Sequence, residues 1–101
     1  MLESDYQQIL REKIENIFPE CLVLKNDPNY LQGFPDLTIF YKDRWAVLEV
    51  KKDISEMSKN SSSIRNQRFY IRKLNDMSFA RFIYPQNEEE VLYELQQAFR
   101  S

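Results

Sequence analysis

The chain has 101 residues, a formal net charge of −2 and a hydrophobic fraction of 43%. This length suits one domain spanning residues 1–101, without internal repeats. Histidine is absent, which excludes Ser-His and Cys-His triads and a histidine-based zinc site. The lone Cys21 excludes an internal disulfide framework. No apolar run reaches the length of a membrane span and no signal peptide is evident, so we expect a cytoplasmic protein without membrane contact.

The first part of the chain predicts a helix, a short strand and a loop. Residues 4–18 place apolar side chains at helical spacing, and Ser4 with Gln7 has the pattern of an N-terminal capping box. Residues 21–24 are a strand candidate, in which Cys21 is expected to be a small core residue. Residues 25–32 contain Asn, Asp and Pro and are expected to form a loop.

Two strands are predicted next, at 37–41 and 45–51, joined by the polar turn 42–44. The polar segment 53–63 is expected to be a mobile loop. A helix is predicted from 64 to about 76, a fourth strand at 79–84, and a final helix to about 99. Asn87 is the expected cap of that last helix, whose first turn is acidic.

The predicted element order is therefore αβββαβα, an α/β fold with a mixed sheet flanked by helices. The middle helix can act as a crossover that makes its two flanking strands parallel.

Three charged residues stand out within the two apolar strands. Asp36 opens the first run, and Glu49 and Lys51 lie two residues apart in the second. Because strand side chains repeat every two residues, Glu49 and Lys51 share one face, and a hairpin brings Asp36 to the neighbouring strand. Charges among apolar residues are costly to desolvate, which favours a functional site. The alternative is an ordinary salt bridge on an exposed strand face.

This trio contains the parts of a hydrolytic metal centre. Mg²⁺ and Mn²⁺ prefer oxygen ligands, which Asp36, Glu49 and the carbonyl of Val50 can supply. Lys51 is expected to stay protonated and to stabilise developing negative charge. A fourth ligand is expected from Glu3, which falls on the apolar face of the first helix. The alternative for Glu3 is a frayed helix end in solvent.

The middle helix carries a glutamine and a basic stripe. Gln67 lies at the centre of the inward face, where it needs a polar partner such as Lys51 or a substrate phosphate. Residues 51–81 hold eight Lys or Arg against three Asp or Glu, unlike the acidic segments on either side. The candidate nucleic-acid contacts in this block are Lys52, Arg65, Arg68 and Arg72. A basic patch can bind phosphates although the whole chain is acidic, but a solvated helix face is an equal alternative.

These residues resemble the PD-(D/E)xK nuclease superfamily over nearly the whole chain. Pro35-Asp36 resembles the PD element, and Glu49-Val50-Lys51 the ExK element. Gln67 at the front of a helix resembles the extra glutamine of the VRR-NUC (virus-type replication and repair) branch. Glu3 resembles the helix glutamate of that branch and of archaeal Holliday junction resolvases. The short length resembles phage-encoded members, for which the location would be the host cytoplasm.

The resemblance implies a restriction-endonuclease-like αβββαβ core with an extra C-terminal helix. It implies Mg²⁺- or Mn²⁺-dependent hydrolysis of DNA, with Asp36 and Glu49 as metal ligands, Lys51 as catalytic lysine, Gln67 as helper and Glu3 as outer ligand. Small members of this kind resemble homodimeric resolvases that cut branched DNA. The alternatives are a restriction-type or nicking nuclease on duplex DNA, and a non-catalytic DNA-binding or assembly module.

Overall fold

Four strands form one sheet in a computed structural model that describes residues Met1–Ser101. The strands are β1 (Leu22–Lys25), β2 (Leu37–Tyr41), β3 (Arg44–Val50) and β4 (Phe79–Ile83). Their order in the sheet is β1-β2-β3-β4, and the first two pairings are antiparallel. β3 and β4 are parallel, as predicted for strands joined by a crossover helix. The mixed α/β sheet is thus confirmed.

Three α-helices pack on this sheet: α1 (Glu3–Ile17), α2 (Ser62–Met77) and α3 (Glu88–Arg100). The main core lies between α1, α3 and one face of the sheet, and buries apolar residues of every strand. The central sheet residues of this core are Leu37, Ile39, Ala46, Leu48, Val50 and Ile83. α2 covers the opposite face of β3 and β4, where Ile64, Val47 and Ala80 are buried outside that cluster.

The β2–β3 hairpin sets the register that matters for the site. Leu37 pairs with Leu48, and Tyr41 pairs with Arg44, so the turn itself contains only Lys42 and Asp43. Lys42 has φ 57°, the left-handed conformation that tight two-residue hairpin turns require. Continued by one residue, this register places Asp36 opposite Glu49.

Neither of the two predicted helix caps makes a side-chain capping bond. α1 begins at Glu3, with Leu2 at the cap position and no side-chain capping bond, so Ser4 and Gln7 form no capping box. Gln7 is instead buried. Asn87 occupies the N-cap position of α3, as predicted, but its side chain makes no capping bond. Its carboxamide oxygen accepts from the Tyr84 amide at 2.8 Å and its nitrogen donates to the Phe82 carbonyl at 3.1 Å. Asn87 therefore shapes the turn between β4 and α3.

The polar segment 53–63 is not the featureless loop that its composition predicts. Ile54–Ser58 is a 3-10 helix, and α2 already begins at Ser62. The Asp53 carboxylate accepts from the Ser55 amide at 2.9 Å and from Gln86 Nε2 at 2.8 Å. These hydrogen bonds, led by the one from Ser55, lower the pKa of Asp53. The Gln86 contact also ties this segment to the end of β4.

No helix in the protein is both long enough and apolar enough to span a membrane.

Candidate active site

Asp36 and Glu49 meet on the sheet face that α2 covers. Leu37, Leu48 and Val50 point into the core, so alternation directs their neighbours Asp36 and Glu49 to the other face. One oxygen of Asp36, Oδ2, accepts a hydrogen bond from the Val50 amide at 2.9 Å. This bond fixes Asp36 against the end of β3, next to the Glu49 carboxyl group.

The Glu49 carboxyl is strongly perturbed by its surroundings. The residue is only 3% exposed. Burial, with the neighbouring Asp36 carboxylate as the second cause, raises the pKa of Glu49 to about 9. Glu49 therefore keeps its proton to a higher pH than an ordinary glutamate does when no metal ion is bound.

Lys51 supplies the single positive charge in direct contact with this pair. Its Nζ lies 3.7 Å from Glu49 Oε2, and its side chain is 12% exposed. The ammonium lowers the pKa of Glu49, but burial and the Asp36 charge outweigh it. The predicted sharing of one strand face by Glu49 and Lys51 is confirmed, whereas the alternative of a solvent-exposed salt bridge is not, because both side chains are largely buried.

Glu3 reaches the edge of the same group from the start of α1. Burial first, and then the Asp36 charge, raise the pKa of Glu3, while Lys51 acts in the opposite direction. Glu3 makes no direct ion pair with Lys51. The structure thus brings Glu3 within electrostatic reach of Asp36 and Lys51, as an outer member of the group.

A cleft of about 330 Å³ opens above the two carboxyl groups. One wall is the loop before β2, including Gly33 and Phe34, and the other is the first turns of α2, including Asn66 and Gln67. Gln67 Oε1 is buried and has no hydrogen-bond partner. A buried unpaired amide oxygen costs about 1–3 kcal/mol, so it marks a place where a donor from a ligand or water is expected.

Sequence reasoning missed several residues of this cleft. Ser62 and Ser63 line it because α2 starts two residues earlier than the apolar spacing suggests. The Ser61 hydroxyl accepts from the Ile64 amide at 3.2 Å, and this N-terminal cap explains the earlier start. Ser61 was the residue in the sequence that could have indicated this earlier start, because serine is a common N-cap residue.

The oxygen ligands at this site suit a hard divalent cation such as Mg²⁺, but the protein offers only a few of them. No three His, Cys, Asp or Glu side chains lie close enough together to hold a metal by themselves. The candidate ligands are the Asp36 and Glu49 carboxylates with the Val50 carbonyl. The amide and carbonyl of one strand residue point to the same side. Because the Val50 amide faces Asp36, its carbonyl points there too. Two carboxylates, a carbonyl and waters or a phosphate make a typical Mg²⁺ environment.

Of the four predicted nucleic-acid contacts, two are hydrogen-bonded within the protein and two are exposed. Arg65 donates to Asn60 Oδ1 at 3.2 Å, and Arg68 donates to the Met57 carbonyl, so both hold the segment that precedes α2. Lys52 and Arg72 are exposed and make no salt bridge. Part of the basic stripe is thus used in hydrogen bonds within the protein, and Lys52 and Arg72 remain exposed to solvent.

Comparisons with known proteins leave the family of the chain undetermined. No family model, no curated protein and no solved structure matches it. Its function must therefore be inferred from the chemistry of the site.

Proposed function

We propose that this protein is a metal-dependent endonuclease that hydrolyses phosphodiester bonds in DNA, with a preference for branched DNA. One observation carries the proposal: the buried Glu49 lies beside Asp36 at the base of an open cleft and contacts Lys51, with the pKa of Glu49 raised to about 9. Two carboxyl groups forced together are unfavourable until a cation or a proton compensates their charge. A divalent cation would relieve this repulsion and would occupy the position where a phosphate could reach Lys51.

Each residue then has a defined task. Asp36, oriented by the Val50 amide, and Glu49 would hold Mg²⁺ or Mn²⁺ with the Val50 carbonyl, and Glu3 would act from a greater distance. When bound, the cation would activate a water molecule and neutralise charge on the phosphate. Lys51 would stabilise the negative charge that develops during attack. Gln67 Oε1, which has no partner, would accept a hydrogen bond from the attacking water.

The nucleic-acid substrate is supported by charge and by the open cleft. Exposed Lys52 follows Lys51 directly in the chain, and α2 adds the positive charges of Arg65, Arg68 and Arg72. Branched DNA and a homodimer rest on the resemblance to small junction resolvases. Two copies of the site related by a two-fold axis would suit two strands of a junction.

The decisive experiment compares cleavage by wild type, Asp36→Asn and Lys51→Ala on labelled four-way junction, flap, single-stranded and duplex DNA with Mg²⁺ or Mn²⁺. Asp36→Asn keeps an oxygen for the Val50 amide, so the fold is expected to survive. Matched controls are Asp43→Asn and Lys42→Ala in the exposed hairpin turn. Loss of cleavage in the site variants alone supports the proposal, and full cutting by either one contradicts it.

The same panel separates the alternatives. Cutting of linear duplex alone would assign a restriction-type or nicking enzyme. Binding of DNA by the wild type without any cutting in either metal would assign a non-catalytic module. The homodimer is tested by sedimentation at the concentration of the cleavage assay, where a monomeric mass contradicts it.

A further inference from the structure

A second pocket lies directly beside the carboxylate cleft. It has a volume of about 370 Å³ and is lined by the loop of residues 26–34, here called the Tyr30 loop. The lining side chains are Asn26, Asp27, Tyr30, Leu31 and Phe34. Phe34 lines both this pocket and the cleft that contains Asp36 and Glu49. The two pockets therefore adjoin at one aromatic residue.

The Tyr30 loop is anchored at both of its ends. Asn26 Nδ2 donates to the Pro35 carbonyl and to Thr38 Oγ1, both at 2.8 Å, and the Asn26 amide donates to the Asp36 carbonyl at 2.7 Å. At the other end, Gly33 has φ 87° and packs against Asn66 of α2. These contacts fix the pocket relative to the catalytic candidates instead of leaving it to a free loop.

The walls of the pocket are aromatic, apolar and negatively charged. Tyr30 is 80% exposed and Leu31, beside it in the chain, is 45% exposed, so both offer apolar surface to a ligand. Phe34 is held edge-on to Tyr70, with 5.7 Å between ring centroids. Asp27 uses Oδ1 to accept from the Asn29 amide at 2.9 Å, and Oδ2 accepts no hydrogen bond. The Asp27 charge repels a phosphate, but its free oxygen can accept from an amino group on a base.

From these features we infer that the pocket holds an unpaired nucleobase of the DNA strand whose phosphate lies between Asp36 and Lys51. This inference rests on the proposed nuclease function and specifies its substrate. The flat face of a base can stack on the Tyr30 ring, and stacking on an aromatic side chain is worth about 1–3 kcal/mol per base. The amino group on the edge of the base can donate a hydrogen bond to Asp27. A base within a duplex is stacked and paired and would have to leave the helix to enter. The pocket therefore selects DNA with unpaired nucleotides next to the cut site.

The test measures binding without cleavage. Fluorescence anisotropy in EDTA compares a duplex that contains a three-nucleotide bulge with the same duplex fully paired. Wild type is expected to prefer the bulged DNA, and Tyr30→Ala to reduce that preference by about 5-fold or more. Tyr30→Trp keeps the ring and is expected to retain the preference. Tyr93→Ala removes a tyrosine that is 57% exposed on α3, across the sheet, and is the matched control.

The outcomes separate this inference from the proposed function. If Tyr30→Ala leaves the preference for bulged DNA unchanged, or weakens binding of both DNAs equally, the pocket does not hold a base. Wild type that shows no preference also overturns the inference, even when it cuts DNA in Mg²⁺. If the preference exists and depends on Tyr30 but no DNA is cut in Mg²⁺ or Mn²⁺, the base pocket stands and the nuclease proposal fails.

Discussion

The carboxyl groups of Asp36 and Glu49 lie next to each other at the ends of adjacent strands, and this position makes Glu49 a proton-binding group near neutral pH. Burial, followed by the Asp36 charge, raises the pKa of Glu49 from 4.5 to about 9. Between these two values the folded protein binds more protons at Glu49 than the unfolded chain does. Stability falls as pH rises wherever the folded state binds more protons.

We therefore predict that the metal-free protein loses stability from about pH 4.5 to about pH 9. The slope from this one group is at most about 1.4 kcal/mol per pH unit. Urea unfolding in EDTA at several pH values measures it. Glu49→Gln is expected to flatten this part of the profile, whereas Glu20→Gln, at an exposed position after α1, is expected to leave it unchanged. Equal slopes for wild type and Glu49→Gln would show that Glu49 does not bind the proton.

Divalent metal is expected to stabilise the folded protein through the same two carboxylates. A ligand present at 100 times its dissociation constant and bound only to the folded state adds about 2.7 kcal/mol. Mn²⁺ titration by calorimetry gives the dissociation constant, and thermal unfolding with and without Mn²⁺ gives the stabilisation. Asp36→Asn and Glu49→Gln are expected to lose both effects, and Asp43→Asn to keep them. Undiminished Mn²⁺ binding by both site variants would place the metal elsewhere.

Gly33 is expected to be intolerant of a side chain. A Cβ atom at Gly33 would lie 2.7 Å from Asn66 Cβ, and φ 87° is a conformation that residues with a side chain rarely adopt. Gly33→Ala is therefore expected to cost about 1–3 kcal/mol, from overpacking and backbone strain together. Because the Tyr30 loop would shift away from α2, DNA cleavage is expected to fall as well.

A double-mutant cycle separates the two causes for Gly33. Asn66→Gly removes the atom that the new Cβ would meet, so the double variant is expected to lose less stability than the two single variants together. Urea unfolding of the four proteins gives the coupling. Strict additivity would assign the cost to the backbone conformation and to the Asn66 backbone atoms that the new Cβ would meet at 3.0 and 3.2 Å.

The features that could be predicted from the sequence are those that follow from backbone geometry or from a general rule of topology. Strand alternation predicted that Glu49 and Lys51 share a face, and the hairpin predicted Asp36 beside them, because both follow from backbone geometry. The order of helices and strands and the parallel β3–β4 pairing were predictable from periodicity and the crossover rule. All of these depend on residues close together in the chain or on general topology.

Features decided by distant partners could not be predicted in this way. Asp53 is held by Gln86, which lies 33 residues further along the chain. Gln7, expected at a helix cap, is buried in the folded protein. The Tyr30 loop is held by the packing of Gly33 against Asn66 of α2, a contact that the sequence does not indicate. In each case a side chain has several local options, and the tertiary contact selects one.

Gln67 is expected to contribute to activity at the expense of stability. Its Oε1 atom is buried without a partner, at a cost of about 1–3 kcal/mol, although it lines the cleft above Asp36 and Glu49. Gln67→Met keeps the length of the side chain and removes the unpaired oxygen. Thermal unfolding without metal is therefore expected to show equal or higher stability, whereas the cleavage rate in Mg²⁺ is expected to fall at least 10-fold, about 1.4 kcal/mol in the barrier.

The matched control for Gln67 is Gln97→Met, at an exposed position of α3, which is expected to change neither quantity. A fall in stability of Gln67→Met together with unchanged cleavage would mean that the glutamine serves the fold. Because removing a purely structural hydrogen bond lowers stability and removing an unpaired polar atom does not, the sign of the stability change distinguishes the two roles before any activity is measured.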